Sequence, residues 1–271
     1  MTRVALVTGA GTGIGRGIAL ALARRGMRVA LTGRRREPLE AVSEEIRRLP
    51  ASPPAAIFPA DLADARERRR LIEQAHRELG ALDILVNNAG VMLAGSLAGL
   101  SGEDVERAVA VNLTAPIDLT RLAQADLAER RGSVVFVASN VHHMPLPFTS
   151  LYTATKSALA NLVTSLRYEL EPLGIHLLLA YPPDSETAML AGRQGANRAR
   201  ITLADPEQVG EFMVRALEGG RRQVHWGLRE RLLISFYQAL PRAAQALLRW
   251  QRRRFLPPAE SKPEEHHVGT Q

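Results

Sequence analysis

Short apolar stretches alternate along the chain with longer segments in which apolar residues recur every three or four positions. A strand buried on both faces is apolar throughout, whereas a helix buries one stripe, so the two patterns predict strands and helices respectively. The predicted strands are Val4–Thr8, Arg28–Thr32, Ala55–Ala60, Ile84–Asn87, Ser133–Ala138, Ile175–Tyr181 and Gln223–Trp226. The predicted helices are Ile14–Arg25, Pro38–Leu49, Ala65–Leu79, Ser101–Glu129, Leu151–Leu170 and Pro206–Leu217.

Strict alternation of strand and helix predicts an α/β fold of the Rossmann type, in which right-handed crossovers build a doubly wound parallel sheet. We expect a single domain over residues 1–226. Residues 227–255 then form a basic amphipathic helical extension. The stretch 256–271 is rich in proline, glutamate and other polar residues and is predicted to be disordered, because it has little apolar surface to bury.

The chain has 271 residues and no cysteine. This composition excludes disulfides, cysteine-ligated zinc, iron–sulfur clusters and cysteine nucleophiles, and no other metal site is predicted. No run of about 18 or more mostly apolar residues occurs, so we expect no membrane-spanning helix. The N-terminus shows no export signal. We therefore expect a cytoplasmic protein that is soluble or peripherally attached to a membrane.

Positive charge is concentrated in one segment near the C-terminus. Arg221 to Arg254 contains nine arginines and one acid, Glu230, and carries +8, whereas the whole chain carries +7. Apolar residues at helical spacing accompany these arginines, namely Leu228, Leu232, Leu233, Phe236 and Leu240, and then Ala244, Leu247, Leu248 and Phe255. Such a helix suits an anionic membrane surface. Packing as a substrate cap or an oligomer contact explains the pattern equally well, and nucleic acid is the least favoured partner because no aromatic platform is present.

A glycine-rich string connects the first predicted strand to the first predicted helix. It consists of Gly9, Ala10, Gly11, Thr12, Gly13, Ile14 and Gly15. Glycine permits a tight turn and a close approach of backbone amides to a pyrophosphate, and the helix N-terminus adds partial positive charge. An ordinary strand-to-helix turn is the alternative. The position within a β-α-β unit favours a dinucleotide site.

The second predicted strand ends in a run of arginines, where an NAD(H) site would have an acid. A carboxylate about 20 residues beyond the glycines would bind the ribose 2′-hydroxyl of NAD(H). Gly33, Arg34 and Arg35 stand here instead. Arginine matches a 2′-phosphate in charge and geometry, although a solvated start of the second helix is the alternative. We therefore predict NADP(H) rather than NAD(H), bound by Arg34 and Arg35.

Tyr152 and Lys156 are four residues apart on a predicted helix and so share one face. A cation beside a phenol favours the phenolate and lowers the pKa of the phenol toward the range useful for acid–base catalysis. Lysine is otherwise represented in this chain by Lys262 alone. Since arginine serves for solvation elsewhere, we predict a catalytic role for Lys156; a surface Tyr–Lys pair is the alternative.

Ser139 ends the fifth predicted strand, at the edge where ligands of parallel sheets bind. Its hydroxyl could hydrogen-bond a substrate carbonyl as negative charge develops, or it could serve a strand-end turn. His142 and His143 follow before Tyr152. Together with Ser139 and Tyr152 they are candidates for substrate contact, although solvated loop histidines are the favoured alternative.

These motifs resemble those of the short-chain dehydrogenase/reductase family. The resemblance rests on the T-G-x-x-x-G-x-G spacing of Thr8–Gly15, on Asp61-Leu62, on Asn87-Asn88-Ala89-Gly90, on Val111-Asn112-Leu113, and on Ser139 thirteen residues before Tyr152. It covers residues 1 to about 226. It implies that Asp61 and Leu62 contact the adenine, and that the segment Asn88, Ala89 and Gly90 closes over the cofactor.

The resemblance also implies a catalytic set of Asn112, Ser139, Tyr152 and Lys156. NADPH would deliver hydride to a substrate carbonyl whose oxygen is polarised by Ser139 and Tyr152, and Tyr152 would donate the proton. Lys156 would bind the nicotinamide ribose, and Asn112 would hold a water linked to Lys156. From the residues alone, Asn112 could equally mark a helix kink or cap. Family members are usually dimers or tetramers, so we expect a homodimer or homotetramer formed through the helices predicted at Ser101–Glu129 and Leu151–Leu170.

The segment Tyr181-Pro182-Pro183-Asp184-Ser185-Glu186-Thr187 resembles, more narrowly, the 3-ketodihydrosphingosine reductase branch. Pro183 departs from the Pro-Gly of the broad family. The resemblance implies that Pro182 and Thr187 contact the cofactor. We predict NADPH-dependent reduction of a hydrophobic ketone such as 3-ketodihydrosphingosine. The alternatives are an enzyme for another lipid, a steroid or a small alcohol, and a weakly active NADP-bound scaffold or sensor.

Overall fold

In the computed structural model, which describes residues 2–183 and 204–251, seven parallel strands form one sheet between two layers of helices. The strands are β1 (Val4–Thr8), β2 (Arg28–Gly33), β3 (Ala56–Pro59), β4 (Ile84–Asn87), β5 (Ser133–Val137), β6 (His176–Tyr181) and β7 (Gln223–His225). The helices are α1 (Gly13–Ala23), α2 (Arg36–Arg47), α3 (Ala65–Leu79), α4 (Gly102–Val109), α5 (Ala115–Glu129), α6 (Ser150–Leu170), α7 (Pro206–Glu218), α8 (Gly227–Ala239) and α9 (Pro241–Gln251).

The strand order is β3-β2-β1-β4-β5-β6-β7, and every neighbouring pair is parallel. The predicted doubly wound sheet is therefore confirmed, with strand ends that differ from the predicted ones by about one residue. The connections change direction at β1, which pairs with β2 on one side and β4 on the other. A crevice for a ligand is expected at the carboxyl ends of strands at such a reversal.

The strands are apolar throughout because both faces of the sheet are covered. Successive side chains of a strand point to opposite faces. Leu6 of β1 joins a core beneath α3, α5 and α6, whereas Val7 joins a second core beneath α1, α2 and α7. Burial of each strand between two helix layers explains the continuous apolar runs that predicted it.

Helices α1 and α7 cross in close contact at two glycines. A Cβ on Gly210 would lie 2.2 Å from the carbonyl carbon of Gly17, and a Cβ on Gly17 would lie 2.3 Å from the carbonyl oxygen of Pro206. Ion pairs flank this crossing, because Arg25 contacts Glu211 at 2.9 Å and Glu218 at 2.7 Å. Only glycine permits the two backbones to approach this closely.

The prediction of one continuous helix over Ser101–Glu129 was wrong. A π-helical turn, Ala110–Thr114, separates α4 from α5. Pro116 has no N–H and cannot donate to the carbonyl of Asn112, as a continuous α-helix would require. The wider turn accommodates this missing hydrogen bond. The apolar period continues through the interruption, which is why the sequence pattern predicted a single element.

Helices α8 and α9 follow the last strand and account for the described part of the predicted extension. Ile234 and Ala244 are buried. Several large apolar side chains of this pair are exposed, namely Leu232, Leu233, Phe236, Leu240 and Leu247. Phe255 and the stretch 256–271 lie outside the described residues. Across the residues that are described, no helix is both long and apolar enough to traverse a bilayer.

Candidate active site

The turn between β1 and α1 requires glycine at several of its positions. Gly9 and Gly13 have φ angles of 65° and 55°, which favour glycine. A Cβ on Gly15 would lie 2.1 Å from the carbonyl oxygen of Gly9. Thr12 is extended and immediately precedes α1. The turn therefore presents the N-terminus of α1 to the crevice without obstruction, which is the arrangement that stabilises a bound phosphate.

Asn88 and Thr8 fasten the end of β4 to this turn. The Nδ2 of Asn88 donates to the carbonyl of Thr8 at 2.8 Å. The hydroxyl of Thr8 accepts from the backbone N–H groups of Asn88 at 2.9 Å and Ala89 at 3.0 Å, and it donates to the carbonyl of Val86. The side chain of Asn88 thus supports the turn from behind, while Ala89 and Gly90 reach the crevice.

A groove of about 210 Å³ runs along the carboxyl ends of β1 to β4. Its lining includes many of the residues that the sequence predicted for a cofactor, namely Gly9, Gly11, Thr12, Arg34, Arg35, Asp61, Leu62, Ala89 and Gly90. Other predicted cofactor-binding residues are absent from that lining, namely Gly13, Ile14, Gly15, Asn88, Tyr152, Lys156 and Pro182. Sequence reasoning missed Gly33, Pro38, Leu39, Ala60, Val91, Arg107 and Val111. Val111 adjoins Asn112 in the sequence, and Arg107 lies one helical turn earlier.

Arg34 and Arg35 are exposed at the end of β2, and both line the groove. Within the described residues neither side chain forms a close ion pair with an acid, although the charge of Arg34 acts on Asp61. No carboxylate follows β2 at the position where one would bind a ribose 2′-hydroxyl. The end of β2 therefore presents two exposed guanidinium groups to the groove, and guanidinium groups bind phosphates well.

Asp61 lies at the far end of the groove and pairs with Arg107. The Nη2 of Arg107 lies 3.1 Å and 3.0 Å from the two carboxylate oxygens of Asp61. Burial alone would raise the pKa of Asp61. The hydrogen bond from the N–H of Ala63 and the charges of Arg107 and Arg34 outweigh it, so this pKa lies below its usual range. The carboxylate is thus ionised at neutral pH.

Arg68 fixes the loop that carries Asp61 and Leu62. This arginine is buried, and its Nη1 donates to the carbonyls of Leu62 at 2.8 Å and Ala63 at 3.2 Å. Its Nε donates to Asp118 of α5 at 2.8 Å. The buried guanidinium has partners for its charge and for several of its N–H groups, as a buried charge requires. The predicted adenine-contacting loop is therefore rigidly attached to the helix layer beneath it.

Asn112 lies in the π-helical turn and is completely buried. Its Oδ1 accepts from the N–H of Val91 at 2.8 Å. Its Nδ2 donates to the carbonyl of Val91 at 2.9 Å and to the hydroxyl of Thr155 at 3.1 Å. The side chain therefore joins the loop after β4 to α6. In a continuous α-helix the main-chain carbonyl of Asn112 would accept a hydrogen bond from the N–H of residue 116. Pro116 has no N–H, so this carbonyl has no α-helical donor.

Helix α6 carries Tyr152 and Lys156 one turn apart, and both side chains are buried. The Nζ of Lys156 lies 5.9 Å from the centre of the Tyr152 ring. It donates a hydrogen bond of 2.7 Å to the carbonyl of Val137 at the end of β5. Burial lowers the pKa of Lys156 to about 8. A buried amine with a pKa near neutrality can participate in proton transfer at ordinary pH.

Ser139 lies two residues beyond the end of β5. Its Oγ accepts from the N–H of Val141 at 3.4 Å, where it caps the 3₁₀ turn Asn140–His142. Lys156 contacts the end of the same strand, and Thr155 contacts Asn112. The fold thus brings all four predicted catalytic residues to the region where β4, β5 and α6 meet.

His142 and His143 belong to a cluster of rings with Tyr181 and His225, which we term the imidazole cluster. Ring centres are 4.6 Å apart for His142 and His143, 5.0 Å for His143 and Tyr181, and 4.4 Å for Tyr181 and His225. Burial, assisted by the other two histidines, lowers the pKa of His143 to about 4. These loop histidines are therefore packed and uncharged at neutral pH.

The extension contacts the imidazole cluster. The Nε2 of Gln238 on α8 lies 3.3 Å from the Nδ1 of His143. The carbonyl of Pro182 accepts from Nδ2 of Asn140 at 3.5 Å, which connects β6 to the loop after Ser139. Thr187, also predicted to contact the cofactor, lies outside the described residues. Among the residues that are described, no group of three or more metal-ligating side chains is placed to hold a metal ion.

The sequence profile of the short chain dehydrogenase family matches residues 3–197. This chain belongs to the short chain dehydrogenase family. The profile contains the glycine-rich turn, the groove and all four predicted catalytic residues. The expected family membership is confirmed.

Two curated relatives carry names that specify a substrate. "11-beta-hydroxysteroid dehydrogenase A" of Sesamum indicum is 34% identical over 194 residues, which are 70% of this chain and 55% of that protein. The chain thus spans about half the length of this relative, and likewise 55% of an Arabidopsis thaliana relative. "3-ketodihydrosphingosine reductase" of Bos taurus is 30% identical over 226 residues, which are 79% of this chain and 68% of that protein.

Solved structures of the family are similar over most of their length. A short-chain dehydrogenase of Sphingobium yanoikuyae in complex with NADPH is 27% identical, with a TM-score of 0.75 over 91% of this chain and 95% of that one. A short chain dehydrogenase of Burkholderia cenocepacia in complex with NADP is 32% identical, with a TM-score of 0.74 over 82% of this chain and 94% of that one.

Proposed function

We propose that this chain is an NADP(H)-dependent reductase that converts a carbonyl of a hydrophobic substrate to an alcohol. The observation that carries the proposal is the buried Lys156, one helical turn from Tyr152 and hydrogen-bonded to the end of β5, at the same sheet edge as the glycine-lined groove. A scaffold or sensor would not need a complete set that also includes Asn112 and Ser139. The NADP and NADPH complexes of the two solved relatives support the cofactor class.

The residues of this chain then act on the substrate oxygen. When bound, NADPH supplies the hydride that the carbonyl carbon accepts. The hydroxyl of Ser139 donates a hydrogen bond to the carbonyl oxygen as negative charge develops there. The phenol of Tyr152 donates the proton, and the ammonium of Lys156 stabilises the phenolate that remains. The carbonyl of Asn112 holds a water through which the proton is replaced.

The groove holds the cofactor in an orientation set by its charges. The turn at Gly9 to Gly15 receives the pyrophosphate at the N-terminus of α1. Arg34 and Arg35 bind the 2′-phosphate, since both are exposed at the end of β2 and both line the groove. Asp61 and Leu62 contact the adenine, Asn88, Ala89 and Gly90 enclose the middle of the cofactor, and Pro182 and Thr187 contact the nicotinamide end. This arrangement favours NADP(H) over NAD(H).

A long-chain amino ketone such as 3-ketodihydrosphingosine is the substrate that we favour. The Tyr181 to Thr187 motif and the name of the bovine relative support it, whereas the name of the sesame relative supports a steroid. His142 and His143 belong to the loop that begins at Ser139, so the imidazole cluster forms one wall of the substrate site. The rings give this wall an uncharged, aromatic surface, which suits an apolar ligand.

Oxidation of NADPH, followed at 340 nm, tests the proposal against a panel of carbonyl compounds. The panel contains 3-ketodihydrosphingosine in mixed micelles, steroid ketones, β-ketoacyl thioesters and simple ketones. We expect turnover of at least one hydrophobic ketone, with the sphingoid ketone fastest, and slower turnover with NADH. No oxidation with any substrate, despite saturation with NADPH, would exclude the reductase and leave the scaffold. Faster turnover of a steroid would replace the sphingoid substrate.

Membrane contact would give the enzyme access to a lipid ketone. The exposed apolar side chains of α8 and α9 lie within the most arginine-rich segment of the chain. We propose that residues 227–255 rest on an anionic membrane, where apolar insertion and arginine charge act together. Assembly into a homodimer or homotetramer is proposed through α5 and α6, which expose Ile117 and Tyr168 respectively.

A further inference from the structure

A third arginine, Arg107, enters the adenosine end of the groove from the opposite side of the sheet. Arg34 leads into α2, which packs in the same layer as α1. Arg107 lies on α4, which contacts α6 in the other layer. Both arginines line the groove. Neither the cofactor-binding residues predicted from the sequence nor the family motifs include Arg107.

The guanidinium of Arg107 is oriented by a single acid. Its Nη2 contacts both carboxylate oxygens of Asp61, at 3.0 Å and 3.1 Å. Within the described residues, this acid is the recorded partner of the guanidinium. Asp61 is itself held by the N–H of Ala63 at 3.1 Å. Val111, one turn later on the same face as Arg107, contributes apolar surface to the same groove.

The charges of the groove separate two roles for its arginines. Arg34 and Arg35 are not paired with an acid in the described structure and keep their charge for a phosphate. Asp61 offsets the charge of Arg107. What Arg107 presents to a ligand is therefore chiefly its planar face, and a guanidinium plane stacks well on an aromatic ring.

We infer that Arg107 is an adenine-binding residue of this enzyme. The base lies against the wall formed by Arg107 and Val111, with Asp61 at its edge. The inference rests on the proposed function, because it takes an adenine dinucleotide as the ligand. The role of Arg107 differs measurably from that of Arg34 and Arg35. The adenine is common to NADPH and NADH, whereas the 2′-phosphate is present in NADPH alone.

The test is the binding of NADPH and of NADH, measured separately by the fluorescence of the bound dihydronicotinamide. We expect Arg107→Gln to raise the Kd of both dinucleotides by the same factor, about three- to tenfold. Arg34→Gln should raise the Kd of NADPH alone. Arg107→Lys retains the charge but not the plane and should bind no better than Arg107→Gln. Arg70→Gln, on the exposed face of α3, is the matched control and should change neither Kd.

Several outcomes would overturn the inference. If Arg107→Gln weakened the binding of NADPH alone, Arg107 would be a third phosphate ligand. If it changed the Kd of neither dinucleotide, Arg107 would only form a surface ion pair. Recovery of binding in Arg107→Lys would assign the effect to charge. Thermal unfolding without ligand identifies a variant that is simply misfolded, and Arg107→Met then serves as a second substitution. A wild-type protein that binds neither dinucleotide would instead refute the proposed function.

Discussion

The ammonium of Lys156 is held where a lysine is seldom found, inside the protein and in contact with a main-chain carbonyl. Its hydrogen bond to Val137 is 2.7 Å long, and its side chain is 3% exposed. Burial penalises the charged form, and this is the cause of the lowered pKa. The cost of burying this charge is consistent with a functional role, because a structural residue at this position would be apolar.

The free energy of unfolding should report the pKa of Lys156. The pKa of this lysine is about 10.5 in the unfolded chain and about 8 in the folded protein. The unfolded state then binds more protons in this interval, so the folded state gains stability as pH rises from about 8 to about 10.5. We expect the free energy of unfolding of the wild type, measured in urea, to rise by up to about 3 kcal/mol relative to that of Lys156→Met over this range. Parallel pH profiles would contradict the lowered pKa.

Replacement of Tyr152 separates chemistry from cofactor binding. Tyr152→Phe removes the proton donor but keeps the buried ring beside Lys156. We expect kcat to fall by about a hundred- to ten-thousandfold, the range of general acid catalysis, while the Kd of NADPH changes by less than about twofold. Stopped-flow measurement of NADPH oxidation and a fluorescence titration check the two quantities. Retention of activity would refute the role of the phenol.

Among individual residues, the sequence predicted those whose type or spacing is distinctive. It missed those that reach the site only because of where the fold places them. Lys156 and the glycines between Gly9 and Gly15 are unusual in composition or spacing. Arg107 is one of many arginines, and its entry into the groove depends on how the fold places α4 beside Asp61. Val91 binds Asn112 through its backbone, which no side-chain pattern reveals.

The interrupted helix α4–α5 shows what periodicity cannot predict. Apolar residues continue at helical spacing through Ala110–Thr114, so the core-facing stripe is the same for one helix or two. Pro116 is the local signal, but proline is also tolerated in the first turn of a new helix. The strands were predicted to within about one residue because burial on both faces gives each a short, uniform apolar run.

The crossing of α1 and α7 should not tolerate a single added methyl group. Gly210→Ala would place a Cβ 2.2 Å from the backbone of Gly17, and neither helix can move without displacing the core beneath it. We expect a loss of about 1–3 kcal/mol in the free energy of unfolding, measured in urea. Gly102→Ala on α4 is the matched control, since no atom lies within 4 Å of its Cβ. Equal stability of the two variants would contradict the tight crossing.

At the scale of the whole molecule, the most arginine-rich segment of the chain also carries several exposed apolar side chains. The rest of the chain is close to neutral, and its apolar residues form the two layers of core. Helix α8 exposes Leu232 at 62%, Leu233 at 50% and Phe236 at 41%. The described part of the extension therefore combines arginine charge with exposed apolar area that a membrane or another protein could cover.

Flotation with vesicles tests whether the extension binds lipid. At low salt we expect the protein to float with anionic vesicles and not with zwitterionic ones. The double variant Leu233→Gln/Phe236→Gln should reduce the bound fraction about tenfold or more, because it removes inserted apolar area. High salt should weaken binding by screening the arginines.

Leu97→Gln is the matched control, since Leu97 is 74% exposed but lies far along the chain from α8. It should float like the wild type. If no variant and no vesicle shows binding, the extension is not a membrane anchor. A change in the molar mass of the double variant on light scattering would then favour an oligomer contact.

Because Lys156 is buried, the rate at which its amine reacts with a reagent reports how often the domain opens locally. Amine-reactive esters acylate accessible lysines, and residues 2–251 contain no other lysine. Acylation within this region therefore requires an opening that carries the Nζ into solvent, and the labelled fraction read by mass spectrometry counts such events. Because dinucleotide binding should close the site over this amine, the labelling rate offers a readout of occupancy that needs no substrate.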